Sequence, residues 1–230
     1  MSYSIEKIAT LTGAHRYGNH DRQIQFLLTD SRSLCFPEET LFFAIRTNKG
    51  DGANYIGELL QRGVRNFVVD ANYNIPADSP ADANYLVVTS PLKALQRLAE
   101  RHRDEFEIPV VGVTGSNGKT IVKEWLYQLL AADKTVTRSP RSWNSQIGVP
   151  LSIWLLDDHS QMGLFEAGIS QPGEMEALRD IIQPTIGVFT YLGDAHQENF
   201  PSLQQKCTEK MLLFKNAAKV VCKTDDLVVR

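Results

Sequence analysis

Residues 111–120 read Val-Gly-Val-Thr-Gly-Ser-Asn-Gly-Lys-Thr, and this stretch decides the fold. It follows a predicted strand at 110–113 and opens a predicted helix at 119–130. Backbone N–H groups at such a turn can converge on phosphate oxygens, aided by the positive end of the helix. Gly115 and Gly118 permit a tight turn and the close approach of a ligand. The stretch therefore predicts a phosphate-binding loop.

The side chains of this loop predict ATP as its ligand. Lys119 is expected to reach the β- and γ-phosphates, and the Thr120 hydroxyl is expected to bind Mg²⁺. The spacing departs from the standard Gly-x-x-x-x-Gly-Lys-Ser/Thr pattern, which needs a glycine where Val113 stands. A glycine-rich turn that only caps a helix is the alternative. The predicted ATP-binding residues of the loop are Gly115, Ser116, Asn117, Gly118, Lys119 and Thr120.

Strands and helices alternate after the loop. Further strands are predicted at 135–137, 164–167, 186–192 and 219–223. Further helices are predicted at 144–156, despite Pro150, and at 174–182 and 203–214. Such alternation predicts right-handed crossovers and a parallel sheet. We therefore expect a P-loop parallel-sheet ATPase domain over residues 107–230, with Trp125 and Trp154 in its core.

The first part of the chain predicts a separate α/β domain. Its strands are expected at 24–28, 40–46, 66–70 and 85–89. Its helices are expected at 4–12, 55–62 and 90–106. The charged run Arg101-His-Arg-Asp-Glu105 leads into Ile108-Pro109 and suggests a boundary. The predicted fold class is α/β, with an N-terminal substrate domain at 1–106 followed by the ATPase domain, which is incomplete.

Two polar side chains follow neighbouring strands of the predicted ATPase sheet. Glu166 stands at the end of the apolar run Leu164-Phe165, and His196 follows the strand at 186–192. Ligands of an open parallel sheet bind outside the carboxyl ends of its strands, where the phosphate loop also lies. Glu166 and His196 are therefore predicted to contribute to Mg²⁺ binding. Alone, Glu166 could be a solvated loop acid and His196 a capping or surface residue.

Lys210 falls inside an apolar stripe of the last predicted helix. The stripe is formed by Leu203, Cys207, Met211 and Phe214. A buried lysine is costly unless it is paired or neutral, and desolvation lowers its pKa. The alternative is snorkelling, in which the ammonium reaches solvent past its apolar stem.

The composition indicates an ordinary globular protein. The chain has 230 residues, 43% of them apolar and 22% charged, and a net charge of −3. This charge does not favour nucleic-acid binding. No apolar run approaches the roughly 20 residues of a membrane span, and the N-terminus lacks a signal-peptide pattern. The three cysteines, Cys35, Cys207 and Cys222, have no metal-ligand spacing, so we expect reduced thiols in the cytoplasm.

Several segments, in order, resemble the Mur ligase family of peptidoglycan synthesis. The phosphate loop resembles the ATP loop of that family, including its altered glycine spacing. Thr29-Asp-Ser-Arg32 with Thr40-Leu-Phe-Phe-Ala-Ile45 looks like the N-terminal domain that binds a nucleotide sugar. The remaining matching segments are Asn144-Ser-Gln-Ile-Gly-Val-Pro150, Glu166-Ala-Gly, Asp194-Ala-His-Gln-Glu-Asn-Phe200, and Lys210, which follows His196 by fourteen positions.

The resemblance implies an activity. Ser31 and Arg32 would contact UDP-N-acetylmuramoyl-tripeptide, whose carboxylate ATP would convert into an acyl phosphate for attack by D-alanyl-D-alanine. Two Mg²⁺ ions would be held through Thr120 and Glu166, His196 and Lys210, the last as a carbamate formed with CO₂. Lys119, His196 and Lys210 are thus the expected catalytic residues. Asn144 would contact nucleotide or substrate, or act as the N-cap of the helix that follows it.

Other functions remain open at this level. A family member that adds diaminopimelate or lysine would share the N-terminal domain and the loop. A non-catalytic UDP-sugar-binding module would not use Lys119, and a phosphotransferase would phosphorylate a hydroxyl without needing an amine. The family's chains are longer, so we expect these 230 residues alone to be inactive. The segment Asn144–Pro150 also resembles bacterial forms in which the ligase is fused to an alanine racemase.

Overall fold

The protein consists of two compact units, Met1–Leu98 and Ala99–Arg230. The structure is a computed structural model that describes residues 1–48, 50–193 and 199–223. The division between the units lies within a helix, Pro91–Arg103. The boundary expected after residue 106 stays a prediction. Within the described ranges, no helix has the length and apolar character to cross a bilayer.

The first unit is built on a five-stranded sheet. The strands of the whole unit are β1 (Tyr3–Ser4), β2 (His15–Tyr17), β3 (Gln23–Ile24), β4 (Phe26–Leu28), β5 (Thr40–Phe43), β6 (Arg46–Thr47), β7 (Gly50–Asp51), β8 (Asn66–Asp70) and β9 (Asn84–Val88). Its helices are α1 (Ile5–Thr12), α2 (Ile56–Gln61) and α3 (Pro91–Arg103). The main sheet has the order β2-β9-β8-β5-β4, and all its pairs are parallel except β2 with β9. Phe42, Phe67 and Tyr85 pack in its core.

Three expectations for this unit need correction. The strand expected at 24–28 is two strands in two different sheets, β3 and β4, interrupted at Gln25. The strand expected at 40–46 ends at Phe43. Strands β1 and β2 were not predicted, because β2 is a polar, largely exposed edge strand without an apolar alternation to detect.

The second unit contains a fully parallel sheet. Its strands are β10 (Val110–Thr114), β11 (Val136–Arg138), β12 (Met162–Glu166), β13 (Ile186–Phe189) and β14 (Lys219–Val221), and its helices are α4 (Lys119–Leu130), α5 (Gly148–Ile153), α6 (Glu174–Ile182) and α7 (Leu203–Met211). The sheet order is β11-β12-β10-β13-β14. The α/β class and the parallel ATPase-type sheet are therefore confirmed.

Helix α5 is the main difference from the expected elements of the second unit. It begins at Gly148, not at residue 144, and Pro150 lies in its first turn, where a missing N–H breaks no helical hydrogen bond. The strand expected to reach residue 192 ends at Phe189. The helix expected at 203–214 ends at Met211, and a 3₁₀ turn, Leu212–Phe214, follows it.

The two tryptophans of the second unit differ in environment. Trp154 is buried, as expected. Trp125 is 64% exposed, so the expectation that it belongs to the core is wrong. It lies on α4, whose partly buried Leu126 and Tyr127 pack against the sheet instead.

Candidate nucleotide-binding site

The loop between β10 and α4 has a backbone that requires its glycines. Gly115 has a φ of 143°, and a Cβ added there would lie 2.1 Å from Thr190 Oγ1. Gly118 has a φ of 82° and directly precedes the first residue of α4. Both values fall in the region that L-residues avoid. Gly115 is therefore required by both its backbone and its close contact with Thr190, whereas at Gly118 the backbone alone favours glycine.

Contacts with the segment after β13 hold the loop in place. Ser116 N–H donates to Tyr191 O at 2.7 Å, and Ser116 Oγ donates to Gly193 O at 3.0 Å. Thr190 Oγ1 donates to Asn117 O at 2.6 Å. In the sheet, β10 has β12 on one side and β13 on the other. The connection from β12 to β13 passes across β10, so the strand order reverses at β10, where the loop lies. This is where open α/β sheets bind ligands.

Lys119 begins helix α4 and turns back over the loop. Its ammonium donates to Gly115 O at 2.9 Å and to Ser116 O at 3.1 Å. Burial lowers its pKa below 10.5, while the nearby Glu166 opposes that change and Lys206 adds to it. A desolvated cation that borders a glycine-rich loop suits a phosphate group.

Glu166 ends β12 as a fully buried carboxylate beside the loop. Its Oε2 accepts from Thr120 Oγ1 at 3.1 Å and from Asn144 Nδ2 at 3.3 Å. Within the described residues its Oε1 meets the geometry of no hydrogen bond, but it forms an ion pair with a lysine ammonium at 3.1 Å. A buried carboxylate whose Oε2 lies next to a hydroxyl offers the oxygen donors that Mg²⁺ prefers. The structure therefore brings Thr120, Glu166 and Asn144 together, and these residues fit the predicted ion.

Lys123 is a part of this site that the sequence analysis missed. Its side chain is fully buried, and its ammonium lies 3.1 Å from Glu166 Oε1 as an ion pair. The ammonium also donates to Ser139 O at 2.7 Å and to Arg141 O. A signal existed in the sequence, because Lys123 follows Lys119 by four positions and so lies on the same side of the helix.

Asn144 does not begin the helix that follows it. The residue before the first of α5 is Ile147, and Ser145 Oγ accepts from Gly148 N–H at 3.1 Å. The N-cap alternative for Asn144 is therefore wrong. Its side chain contacts Glu166, and its carbonyl accepts from Gly168 N–H at 2.8 Å. Its contact with a nucleotide stays a prediction.

Helix α7 carries two buried lysines. Lys210 is only 3% exposed, which excludes the snorkelling alternative. Burial lowers its pKa to about 8, and the positive charges of Lys119 and Lys206 contribute to the shift. Lys206 was missed in the sequence, although it precedes Lys210 by one helical turn. It is fully buried and donates to Gly193 O at 2.5 Å.

His196 lies outside the described residues, as does the whole of 194–198. Its predicted place beside Lys210 and its predicted role as a metal ligand stay predictions. The positions of Lys119, Thr120, Glu166 and Lys210 are described, but their chemical roles are likewise predictions at this point.

The predicted substrate residues of the first unit follow β4. Ser31 is buried, and its carbonyl accepts from Arg62 at 2.8 Å. The Arg32 side chain is 86% exposed and pairs with Asp30 at 2.6 Å, which lowers the pKa of Asp30. A cavity of about 490 Å³ opens at the same edge of the sheet, beyond the ends of β5, β8 and β9. Neither Ser31 nor Arg32 lines that cavity.

A parallel sheet with a glycine-rich loop and a Gly-Lys-Thr helix start defines a P-loop nucleotide-binding protein. Family models narrow this class. A model described as "Mur ligase middle domain" matches residues 113–230, and one described as "Mur ligase family, catalytic domain" matches residues 23–103. The chain belongs to the Mur ligase family, which confirms the resemblance found in the sequence.

Two relatives within this family carry the same name. UDP-N-acetylmuramoyl-tripeptide–D-alanyl-D-alanine ligase of Borreliella burgdorferi is 32% identical over 84% of this chain and 43% of its own length. The protein of the same name from Synechocystis is 33% identical over 77% of this chain and 38% of its own. The chain thus spans less than half the length of these relatives.

Solved structures support the same fold. MurF ligase of Thermotoga maritima, in complex with ADP, is 29% identical, with a TM-score of 0.76, over 88% of this chain and 46% of its own. MurF of Acinetobacter baumannii has a TM-score of 0.83 over 94% of this chain and 47% of its own. The latter is 23% identical, so it supports the fold alone.

Proposed function

We propose that this chain belongs to an ATP-dependent ligase that joins D-alanyl-D-alanine to UDP-N-acetylmuramoyl-tripeptide in peptidoglycan synthesis. The observation that carries the proposal is the contact of Thr120 with the buried Glu166, directly beside Lys119. The substrates named for the related ligases support the choice of substrates. The reaction would make an acyl phosphate from the tripeptide carboxylate, which the amine of the dipeptide attacks with loss of phosphate.

The phosphate loop would bind ATP through its backbone amides and the ammonium of Lys119. In the described structure that ammonium donates to two loop carbonyls, and it would exchange them for phosphate oxygens. It would then stabilise the negative charge on the phosphoryl group as it is transferred. Asn144, one hydrogen bond from Glu166, would contact the nucleotide or the substrate.

Mg²⁺ would be held by Thr120 and Glu166. When bound, this ion supplies charge neutralisation between the β- and γ-phosphates. His196 and Lys210 would hold a second ion, and the support for His196 is its place in the order of segments shared with the family.

Lys210 would act as a carbamate. Its neutral amine would add to CO₂ and release one proton, which gives an anionic group. The pKa of about 8 makes the neutral amine accessible near physiological pH, and the positive charges of Lys119 and Lys206 would favour the anion. The first unit would hold the UDP end of the substrate, with the exposed Arg32 as a partner for phosphate and Ser31 beside it.

The first prediction tests the loop. Replacing Lys119 with Ala should lower ligase activity by at least about a hundredfold, because a positioned charge on the transferred group is lost. The assay measures phosphate release from ATP with UDP-N-acetylmuramoyl-tripeptide and D-alanyl-D-alanine, in the longest natural form of the protein that contains these residues. The exposed Lys134→Ala is the control.

The outcomes of this assay separate the alternatives. Turnover with diaminopimelate or lysine as the amine, and with a nucleotide-linked dipeptide in place of the tripeptide, would favour the family member that adds diaminopimelate or lysine. A stable phosphorylated product without any amine would favour a phosphotransferase. Tight UDP-sugar binding with no ATP consumption would favour a binding module. Wild-type turnover in the Lys119→Ala variant would refute the phosphate-loop assignment.

A further inference from the structure

Lys123 in the second unit is a fully buried lysine whose ammonium contacts both a carboxylate and backbone carbonyls. A lysine with no exposed surface is rare unless it is paired, because removing an ammonium from water is costly. Here the partners come from three separate parts of the chain, the first being the neighbouring Glu124 on α4, whose Oε1 lies 3.0 Å from the ammonium. The other partners are the carboxylate of Glu166 at the end of β12 and the carbonyls of Ser139 and Arg141 in the segment after β11.

The two carboxylate oxygens of Glu166 have different partners. Lys123 lies against Oε1, while Oε2 faces Thr120 and Asn144. A carboxylate can rotate about its last torsion, so a charge fixed on one oxygen decides where the other one points. The Glu166 backbone is held as well, since its N–H donates to Ser139 Oγ at 3.2 Å.

The contacts with carbonyls fix the segment that delivers Asn144. Arg141 has a φ of 48°, a conformation that is costly for a residue with a side chain. Its carbonyl nevertheless points at Lys123, and so does the carbonyl of Ser139. One ammonium therefore restrains both the carboxylate and the segment that leads to the amide beside it.

We propose that Lys123 is a positioning residue, which acts through Glu166 to fix the cation-binding oxygen of the nucleotide site. The inference rests on the proposed function, because it concerns the same Mg²⁺-dependent binding of ATP. Lys123 does not need to touch the nucleotide. Its effect is confined to the geometry and charge of Glu166 and of the segment that carries Asn144.

The test measures binding of a fluorescent N-methylanthraniloyl derivative of ATP to the 230-residue chain, in EDTA and across a Mg²⁺ titration. Lys123→Gln, which keeps a hydrogen-bond donor and removes the charge, should raise the half-saturating Mg²⁺ concentration at least tenfold. Binding in EDTA should stay within twofold of the wild type. The control, Lys134→Gln, removes an exposed lysine just after α4 and should leave both values unchanged.

A second comparison tests whether Lys123 acts through Glu166. Glu166→Gln should itself weaken the response to Mg²⁺, and adding Lys123→Gln to it should cause no further change. Such non-additivity is the signature of two residues that act as one unit. Two independent, additive losses would overturn the proposal.

Other outcomes are equally decisive. A folded Lys123→Gln chain with the wild-type Mg²⁺ curve, or one that loses binding equally in EDTA and in Mg²⁺, would overturn the proposal. If Lys123→Gln has no cooperative thermal transition, Lys123→Arg decides. It keeps the charge but not the compact ammonium, and it should raise the half-saturating Mg²⁺ at least threefold, whereas an unchanged curve refutes the proposal. A wild-type chain that binds the analogue without any response to Mg²⁺ would contradict the proposed function instead.

Discussion

At the scale of single residues, the environment of Lys210 makes the stability of the folded protein depend on pH. Its pKa is about 8 in the folded protein, against an ordinary value of 10.5, because burial and two neighbouring lysines disfavour the ammonium. Below pH 8 the side chain is charged in both the folded and the unfolded state, so its burial costs stability. That cost falls as the pH rises from about 8 towards 10.5, where only the unfolded chain still binds the proton.

Under the proposed function, this environment predicts the pH range in which Lys210 would add CO₂. In ¹³C-labelled bicarbonate, a carbamate carbonyl signal should appear in the NMR spectrum and grow as the pH rises through about 8. Lys210→Arg should lack the signal, because a guanidinium stays protonated. A signal that persists in the Arg variant would assign the carbamate elsewhere, and its absence at every pH would contradict the carbamate.

Three buried lysines show what could and could not be predicted from the sequence. Lys210 could be identified because it interrupts an apolar stripe. Lys206 and Lys123 could not be identified in the same way, since their neighbours in the helical pattern are mixed and their burial depends on partners elsewhere. The carbonyls of Ser139 and Arg141 lie sixteen and eighteen positions after Lys123, in a loop with no regular pattern.

At the scale of elements, α7 is anchored to another helix. Glu209 on α7 accepts from Gly173 N–H at 2.7 Å and from Met175 N–H at 3.4 Å, at the start of α6. A carboxylate at this position also interacts favourably with the positive end of α6. The contact therefore fixes α7, and with it Lys206 and Lys210, relative to the rest of the second unit.

Removing that anchor should be measurable. Glu209→Ala should lower the free energy of unfolding by about 1 kcal/mol, as for the loss of a helix cap. Urea denaturation followed by circular dichroism is the measurement. Glu107→Ala, in an exposed part of the segment between α3 and β10, is the control. Equal stability of the two variants would show that the anchor contributes nothing.

Elements with clear periodicity were predicted better than those shaped by the site. Helix α4 follows directly from its Gly-Lys-Thr start. The late start of α5 could not be predicted, because residues 144–147 contact Glu166, Gly168 and Glu174 instead of continuing the helical pattern. Propensity describes local preference, and these tertiary contacts override it.

At the scale of the whole molecule, the two units have separate cores and, under the proposed function, separate ligands. ADP with Mg²⁺ should slow amide hydrogen exchange in residues 112–120, and a UDP-sugar should slow it within residues 1–98. Lys119→Ala should remove the first effect and retain the second. Mass spectrometry of peptides from each unit is the measurement, and protection of 112–120 by the UDP-sugar alone would contradict the assignment.

The sequence predicted the α/β class and the parallel second sheet because alternating strands and helices leave few other topologies. It did not predict the antiparallel strand β2 in the first sheet. Nor could it supply the cavity beyond β5, β8 and β9, because cavity walls combine residues that are distant along the chain.

Arg141 offers a route to a more heat-resistant protein. Its left-handed backbone is unfavourable for arginine, while its side chain is exposed. Glycine adopts this conformation freely, so Arg141→Gly should gain up to about 1 kcal/mol once the added freedom of the unfolded chain is subtracted. Calorimetry should record a melting temperature a few degrees higher, whereas a lower one would mean that the side chain contributes more than its backbone costs. An engineer could thus improve durability without disturbing the carbonyl that faces Lys123.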